Sequence, residues 1–220
     1  MRFWLHLLVL AASAAQAGES ATFCYDYGCN IEARVWFNDA QLAMVRDQLR
    51  GAADAGEERR QIALALGALY RWAGEQLPIH ADKGGDYADD GVEGRMDCID
   101  HATTTTRLLR LIEAHGWLRH HRVIEPARRS FLIAQHFSAV IEARVAPVAV
   151  RTAGEENGYC VGCNEQGGTV IAGSRSRRAA PAPDPMMDAR WAIDTWFRDH
   201  GAPAVVMPLA TWLGGAYPDD

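Results

Sequence analysis

The segment GRMDCIDH, residues 94–101, has the pattern of a loop that turns into a helix with a cysteine on its first turn. Asp97 is a good helix N-cap, and Asp100 lies three residues later, where a capping box places its acid. Residues that suit one helical face then recur at Ile99, Ala102, Thr106, Leu109 and Ile112. We therefore predict a helix that begins at Cys98 and ends at Gly116.

Cys98 would lie at the positive end of this helix dipole, which stabilises a thiolate. A cysteine nucleophile is best placed at such a position. The alternative is a small buried apolar residue, because free cysteines are often buried. The helix position alone leaves both roles open.

Composition narrows the class of protein. The chain has 220 residues, 49% of them hydrophobic, which suits one globular domain with a core of useful size. The formal net charge of −6 gives no indication of nucleic acid binding. The short basic run at residues 175–178 is best explained as a solvated loop.

The N-terminus has the pattern of a signal peptide, residues 1–17. Arg2 precedes an apolar run over residues 3–12, and Ala15-Gln16-Ala17 is an A-x-A cleavage pattern. The run is too short to span a bilayer, although an uncleaved anchor is the alternative. We expect a mature chain of residues 18–220, without stable membrane insertion, that is periplasmic or secreted.

Export changes the interpretation of the five cysteines. In an oxidising compartment most of them should be paired, and four fall into two close sets, Cys24 with Cys29 and Cys160 with Cys163. Sequence leaves three connectivities open. A zinc site of these four cysteines and a redox-active C-x-x-C are the alternatives to disulfides. Cys98 is the odd residue and hence a reactive-thiol candidate.

Hydrophobic patterning predicts elements on both sides of the Cys98 helix. Before it we predict a strand at residues 31–37, a helix capped by Asn38 with Gln41, a helix at 57–77 and a polar loop at 80–94. After it we predict strands at 117–125, 130–145, 190–197 and 204–207, an insertion at about 147–188 that holds the C-x-x-C, and an irregular tail from 208.

Two polar residues lie within the predicted strands. His136 points away from the apolar row of the 130–145 strand, and a lone strand histidine is more often structural than catalytic. Asp194 lies between tryptophans in the 190–197 strand, where an unpaired acid is costly to bury. A salt bridge to arginine or the orientation of a histidine would each explain it.

The order Cys98, His136, Asp194 resembles that of the transglutaminase-like cysteine hydrolases, which are related to papain. The similar segments are Asp97-Cys98-Ile99-Asp100, the run QHFSAV at 135–140 and the run WAIDTWF at 191–197, within residues 57–206. The resemblance implies an α+β fold, in which the cysteine helix packs on an antiparallel sheet that carries the histidine and the acid. The 58 residues from His136 to Asp194 exceed the family's usual hairpin.

The resemblance also implies a function. Cys98 would attack an amide carbonyl, His136 would move the proton and Asp194 would orient the imidazole. The Cys98 N–H would be one oxyanion donor, with a second from the 86–95 loop left open. The substrate would be a peptide or protein, hydrolysis is the default over acyl transfer, and no metal or organic cofactor is required.

Two other functions stay open, a non-catalytic envelope module that binds or assembles, and a disulfide oxidoreductase built on Cys160 and Cys163. The triad also predicts a low thiol pKa for Cys98, below the free value of about 8.5.

Mature protein prepared without reductant should carry one free thiol, at Cys98, because the other four cysteines form two pairs. Alkylation of the unreduced protein followed by peptide mass mapping measures this. Detection of Cys98 in a disulfide would contradict both the predicted number of free thiols and the predicted role of Cys98 as nucleophile.

Overall fold

The computed structural model describes residues 18–132, 134–144, 184 and 186–218. The predicted signal peptide at 1–17 and most of the predicted insertion, with Cys160, Cys163 and the basic run, lie outside the described residues.

The described chain begins with two strands, continues through three α-helices and ends with four strands and a short helix. Its strands are β1 (Gly18–Tyr25), β2 (Ile31–Asn38), β3 (His121–Phe131), β4 (Ala134–Ala143), β5 (Arg190–Asp194) and β6 (Val205–Pro208). Its α-helices are α1 (Asp39–Arg50), α2 (Ala55–Gly74), α3 (Cys98–Ala114) and α4 (Leu209–Leu213), and 3-10 turns cover Pro78–Ala81 and Met187–Ala189.

Helix α3 lies between two antiparallel sheets. β1 and β2 form a two-stranded sheet, and the other four strands form a second sheet in the order β3-β4-β5-β6. α3 packs against β1 on one side and against β3 and β4 on the other. The predicted α+β class is therefore confirmed, and the strands that carry His136 and Asp194 are neighbours.

Packing holds α3 more than helix propensity does. Four consecutive threonines from Thr103 weaken its intrinsic helicity. Three of them are buried and find partners: the Thr104 hydroxyl accepts the Cys24 N–H at 2.9 Å, the Thr105 hydroxyl lies 2.9 Å from the Thr195 hydroxyl, and the Thr106 hydroxyl donates to the Ala102 carbonyl at 2.7 Å. The apolar face of α3, Leu108, Leu109 and Ile112, enters the main core with residues of both sheets.

The strand predicted over residues 130–145 is present as β4, but its predicted start was wrong, because the chain reverses before Ala134. Ser130 belongs to β3 and pairs with Gln135 of β4, and Leu132 between them has φ of 54°. Without glycine, asparagine or proline at this turn, the apolar run looked continuous. Pro126 sits in β3 at a register irregularity, which an edge strand tolerates.

Two predictions near the C-terminus also failed. The strand predicted over residues 190–197 ends at Asp194, so the acid is at a strand end and not in the middle of a strand. The tail predicted as irregular contains α4. Trp212 of α4 packs with Val140, Ala192 and Met207 in a second apolar cluster, so both faces of β4 are buried.

Gly94, in the loop before Cys98, is expected to tolerate no side chain. Its φ is +80°, and a Cβ would lie 2.2 Å from the Pro78 carbonyl oxygen. Gly94→Ala should lower the free energy of unfolding by about 3 kcal/mol, because a left-handed alanine alone costs about 1–2 kcal/mol and the overlap adds to it. Urea denaturation measures the change.

Gly85→Ala is the matched control, since Gly85 has φ of +71° and open space around its Cβ position. Gly85→Ala should lower the free energy of unfolding only by the conformational cost of a left-handed alanine, about 1–2 kcal/mol. Equal losses in the two variants would show that the Pro78 contact is not a constraint.

Candidate active site

Cys98 is the first residue of α3, and the predicted capping box surrounds it. The Asp97 carboxylate accepts the N–H groups of Ile99 and Asp100, each at 2.9 Å, and the Asp100 carboxylate accepts the Asp97 N–H at 3.1 Å. The Cys98 N–H is left without a partner in another residue among those described. A free N–H therefore points out of the helix start beside the thiol.

The Cys98 sulfur lies against the backbone of β4. It donates to the Gln135 carbonyl at 3.8 Å, and Phe137 lines the same cavity, so the two chain neighbours of His136 lie near it. Cys98 is 9% exposed and is free of disulfide bonding.

Burial raises the pKa of the Cys98 thiol, and the carboxylates of Asp97 and Asp194 raise it further, whereas the Phe137 N–H opposes them. This direction is opposite to the low pKa predicted from the helix start and the neighbouring histidine. Desolvation by burial is the largest cause, because it disfavours the charged thiolate.

His136 and Asp194 form a buried pair on neighbouring strands. The His136 Nε2 lies 2.7 Å from the Asp194 Oδ2, and the residues are 6% and 2% exposed. A carboxylate only accepts, so Nε2 carries the proton and Nδ1 is the basic nitrogen. Nδ1 is buried and has no hydrogen-bond partner among the described residues.

The Asp194 carboxylate has further donors. The Trp212 indole N–H donates to its Oδ2 at 2.9 Å, and the Trp196 backbone N–H donates to its Oδ1 at 3.1 Å. The rings of Trp196, Phe197 and Trp212 surround the His136 ring at centroid distances of 4.8, 5.1 and 5.5 Å. Both the acid and the imidazole are therefore fixed in orientation.

The three predicted site residues are brought to one region, but only two of them touch. No hydrogen bond joins the Cys98 thiol to the His136 imidazole. The sulfur instead donates to the carbonyl of Gln135, the residue before His136. Cysteine and histidine hydrogen bonds in empty sites are often long and tighten with substrate.

Two adjoining cavities meet at this region. One, of about 360 Å³, is lined by Cys98, Phe137, Trp196 and Tyr27 among others. The other, of about 460 Å³, is lined by His136, Arg129, Tyr217 and residues 213–215 among others. Tyr87 and Gln135 line both cavities, so the two cavities together form one cleft that contains Cys98 in one part and His136 in the other.

Sequence reasoning missed a polar network behind the site. His101, one turn after Cys98, contacts Asp82 Oδ2 through Nε2 at 3.0 Å and Thr195 Oγ1 through Nδ1 at 2.9 Å. Asp82 Oδ1 accepts the Met96 N–H at 2.9 Å. The position of His101, three residues after Cys98 on the predicted helix, was a signal that could have indicated this network. Nothing in the sequence indicated Asp82.

Sequence reasoning also missed Trp212, because the run around it is only five helical residues long. An apolar run with a tryptophan next to a turn was the signal there.

Cys24 and Cys29 form a disulfide. The zinc alternative for Cys24, Cys29, Cys160 and Cys163 therefore loses two of its four thiolates. Glu32 also lies near these sulfurs, but the disulfide leaves no thiolate ligand in that group.

Comparison with known proteins gives no relative: no family model, no curated protein and no solved structure matches this chain. Within the described residues, no helix combines the length and apolar character needed to cross a bilayer.

The alkylation rate of Cys98 should rise with pH through a midpoint above the ordinary thiol value of about 8.5. The raised pKa disfavours the thiolate at neutral pH, and Asp194→Asn should lower the midpoint by removing a nearby negative charge. Iodoacetamide kinetics between pH 6 and 10 measure both midpoints. A plateau already present at neutral pH would instead indicate a preformed thiolate-imidazolium pair.

Proposed function

We propose that this protein is an exported, thiol-dependent hydrolase of peptide or amide bonds with a transglutaminase-like fold. The observation that carries the proposal is His136, which binds Asp194 through Nε2 and keeps a buried, unpartnered Nδ1 beside the chain that contacts Cys98. An oriented base next to a free cysteine is what thiol catalysis needs.

His136 acts as a general base in this mechanism. Because the thiol is the resting form, Nδ1 takes its proton as sulfur attacks the carbonyl carbon. Asp194, held by Trp212, stabilises the imidazolium that forms. The imidazolium then gives the proton to the leaving amine, and the acyl group stays on sulfur as a thioester.

Water completes the reaction. His136 takes a proton from water, which attacks the thioester, and the acid leaves as the thiol is restored. The free Cys98 N–H is one donor to the oxyanion. Hydrolysis is preferred over transfer because the described residues show no feature that marks an amine acceptor site.

Cys98→Ala and His136→Ala should lower peptide cleavage by about 10⁴-fold or more, and Asp194→Asn by about 10³- to 10⁴-fold. Incubation of the mature protein with a defined peptide mixture, read by mass spectrometry in H₂¹⁸O, measures the activity. Hydrolysis places one ¹⁸O in each new carboxylate.

His115→Ala is the matched control for His136→Ala, because His115 is an exposed histidine at the far end of α3. It should cleave like the parent protein. Equal cleavage by the parent and Cys98→Ala would overturn the proposal. Absence of both cleavage and Cys98 acylation would favour the non-catalytic module instead.

A further inference from the structure

The segment that joins β1 to β2 has an unusual backbone. Asp26, Tyr27, Gly28 and Cys29 have φ values of 63°, 61°, 66° and 57°, so four consecutive residues are left-handed and only one is glycine. Each non-glycine residue in this region carries a steric cost. The Cys24–Cys29 turn, residues 24–29, therefore persists only because other contacts hold it.

The first turn of α3 supplies those contacts. Asp100, 0% exposed, accepts the Tyr27 N–H at 2.8 Å and the Cys29 N–H at 2.6 Å. Successive N–H groups of a left-handed turn form a concavity that binds an anion, and here the anion is the Asp100 side chain. The disulfide closes the turn from its other side.

The loop before Cys98 holds the same turn. The Asp26 N–H donates to the Arg95 carbonyl at 2.8 Å, and the Asp26 carboxylate accepts the Gly94 N–H at 2.6 Å. The Tyr27 hydroxyl donates to Asp89 at 2.5 Å, and Asp89 pairs with Arg95 at 3.1 Å. The position of the Tyr27 ring is therefore set from three directions.

That ring lines the 360 Å³ cavity at Cys98. The other rings of the cavity belong to Tyr87, Phe137 and Trp196, and Ile99 adds apolar surface. Aromatic walls of this kind bind apolar and aromatic groups by burial and ring contact.

We propose that the Cys24–Cys29 turn is a fixed wall of the cleft, in which Tyr27 determines specificity by packing on an apolar or aromatic substrate side chain beside the scissile bond. Asp100 is the positioning residue that holds the wall. The binding of a substrate side chain rests on the proposed function, whereas the position of the wall rests on the contacts of Tyr27 and Asp100.

Alkylation of Cys98 tests the wall without turnover. The two probes are iodoacetamide and N-phenyliodoacetamide, and the readout is the ratio of their rate constants, normalised to a model thiol. The parent protein should favour the phenyl reagent. Tyr27→Ala should lower the ratio about five-fold through loss of one aromatic contact.

Variants of the supports separate the ring from its positioning. The double variant Cys24→Ser/Cys29→Ser and the isosteric Asp100→Asn should also lower the ratio, although both keep Tyr27. Tyr27→Phe should keep the ratio near that of the parent, since the ring remains. Met44→Ala, an exposed change on α1, is the control. Circular dichroism checks that each variant is folded.

An unchanged ratio in Tyr27→Ala would overturn the proposal. If the ratio falls in Tyr27→Ala but stays at the parental value in both support variants, the turn is not a fixed wall and Asp100 does not position it. If the protein cleaves no peptide but gives the expected ratios, the proposed hydrolysis is contradicted and the proposed wall is supported.

Discussion

The carboxylates of Asp97 and Asp100, at the start of α3, hold together the elements on which the rest of the structure depends. Asp97 closes the helix start, and Asp100 accepts three backbone N–H groups while fully buried. Burial raises the pKa of Asp100 to about 6, with Asp97 adding to it, whereas those donors oppose the shift. The β1-β2 sheet, the loop before Cys98 and α3 meet at this acid. The N-terminal hairpin is thus joined to the candidate nucleophile by polar contacts as well as by the core.

The same burial shapes the chemistry at the sheet. Aromatic rings enclose His136, and Trp212 closes over Asp194, so the pair is shielded from water. Shielding strengthens the attraction between an imidazolium and its carboxylate. It also disfavours an isolated thiolate, which is why the pKa of Cys98 is raised. A neutral thiol with an oriented base suits these surroundings better than a standing ion pair.

Local signals predicted α1, α2 and α3 well because the determinants of these helices lie within one turn of sequence. The capping boxes at Asn38 and Asp97 are visible as residue pairs three apart, and both are present. The reversal at Leu132 was missed because an exposed leucine with positive φ carries no local turn signal of the kind that glycine, asparagine or proline gives. Residues distant in sequence, such as Asp82 and Trp212, were missed because their partners are chosen by the fold.

The alignment of Cys98 with the His136 and Asp194 pair depends on the elements behind them. Thr195 follows Asp194 directly, and its hydroxyl lies 2.9 Å both from His101 and from Thr105 of α3. His101 is bound in turn to Asp82, which also accepts the N–H of Met96, two residues before the cysteine. The helix start and the end of β5 are therefore joined by a buried chain of hydrogen bonds. Such a chain is disrupted by any relative shift of α3 and β5, since each step would leave a buried polar group unpaired. Cys98 and His136, which make no hydrogen bond to each other, can thus be held in register by contacts on the far side of the site.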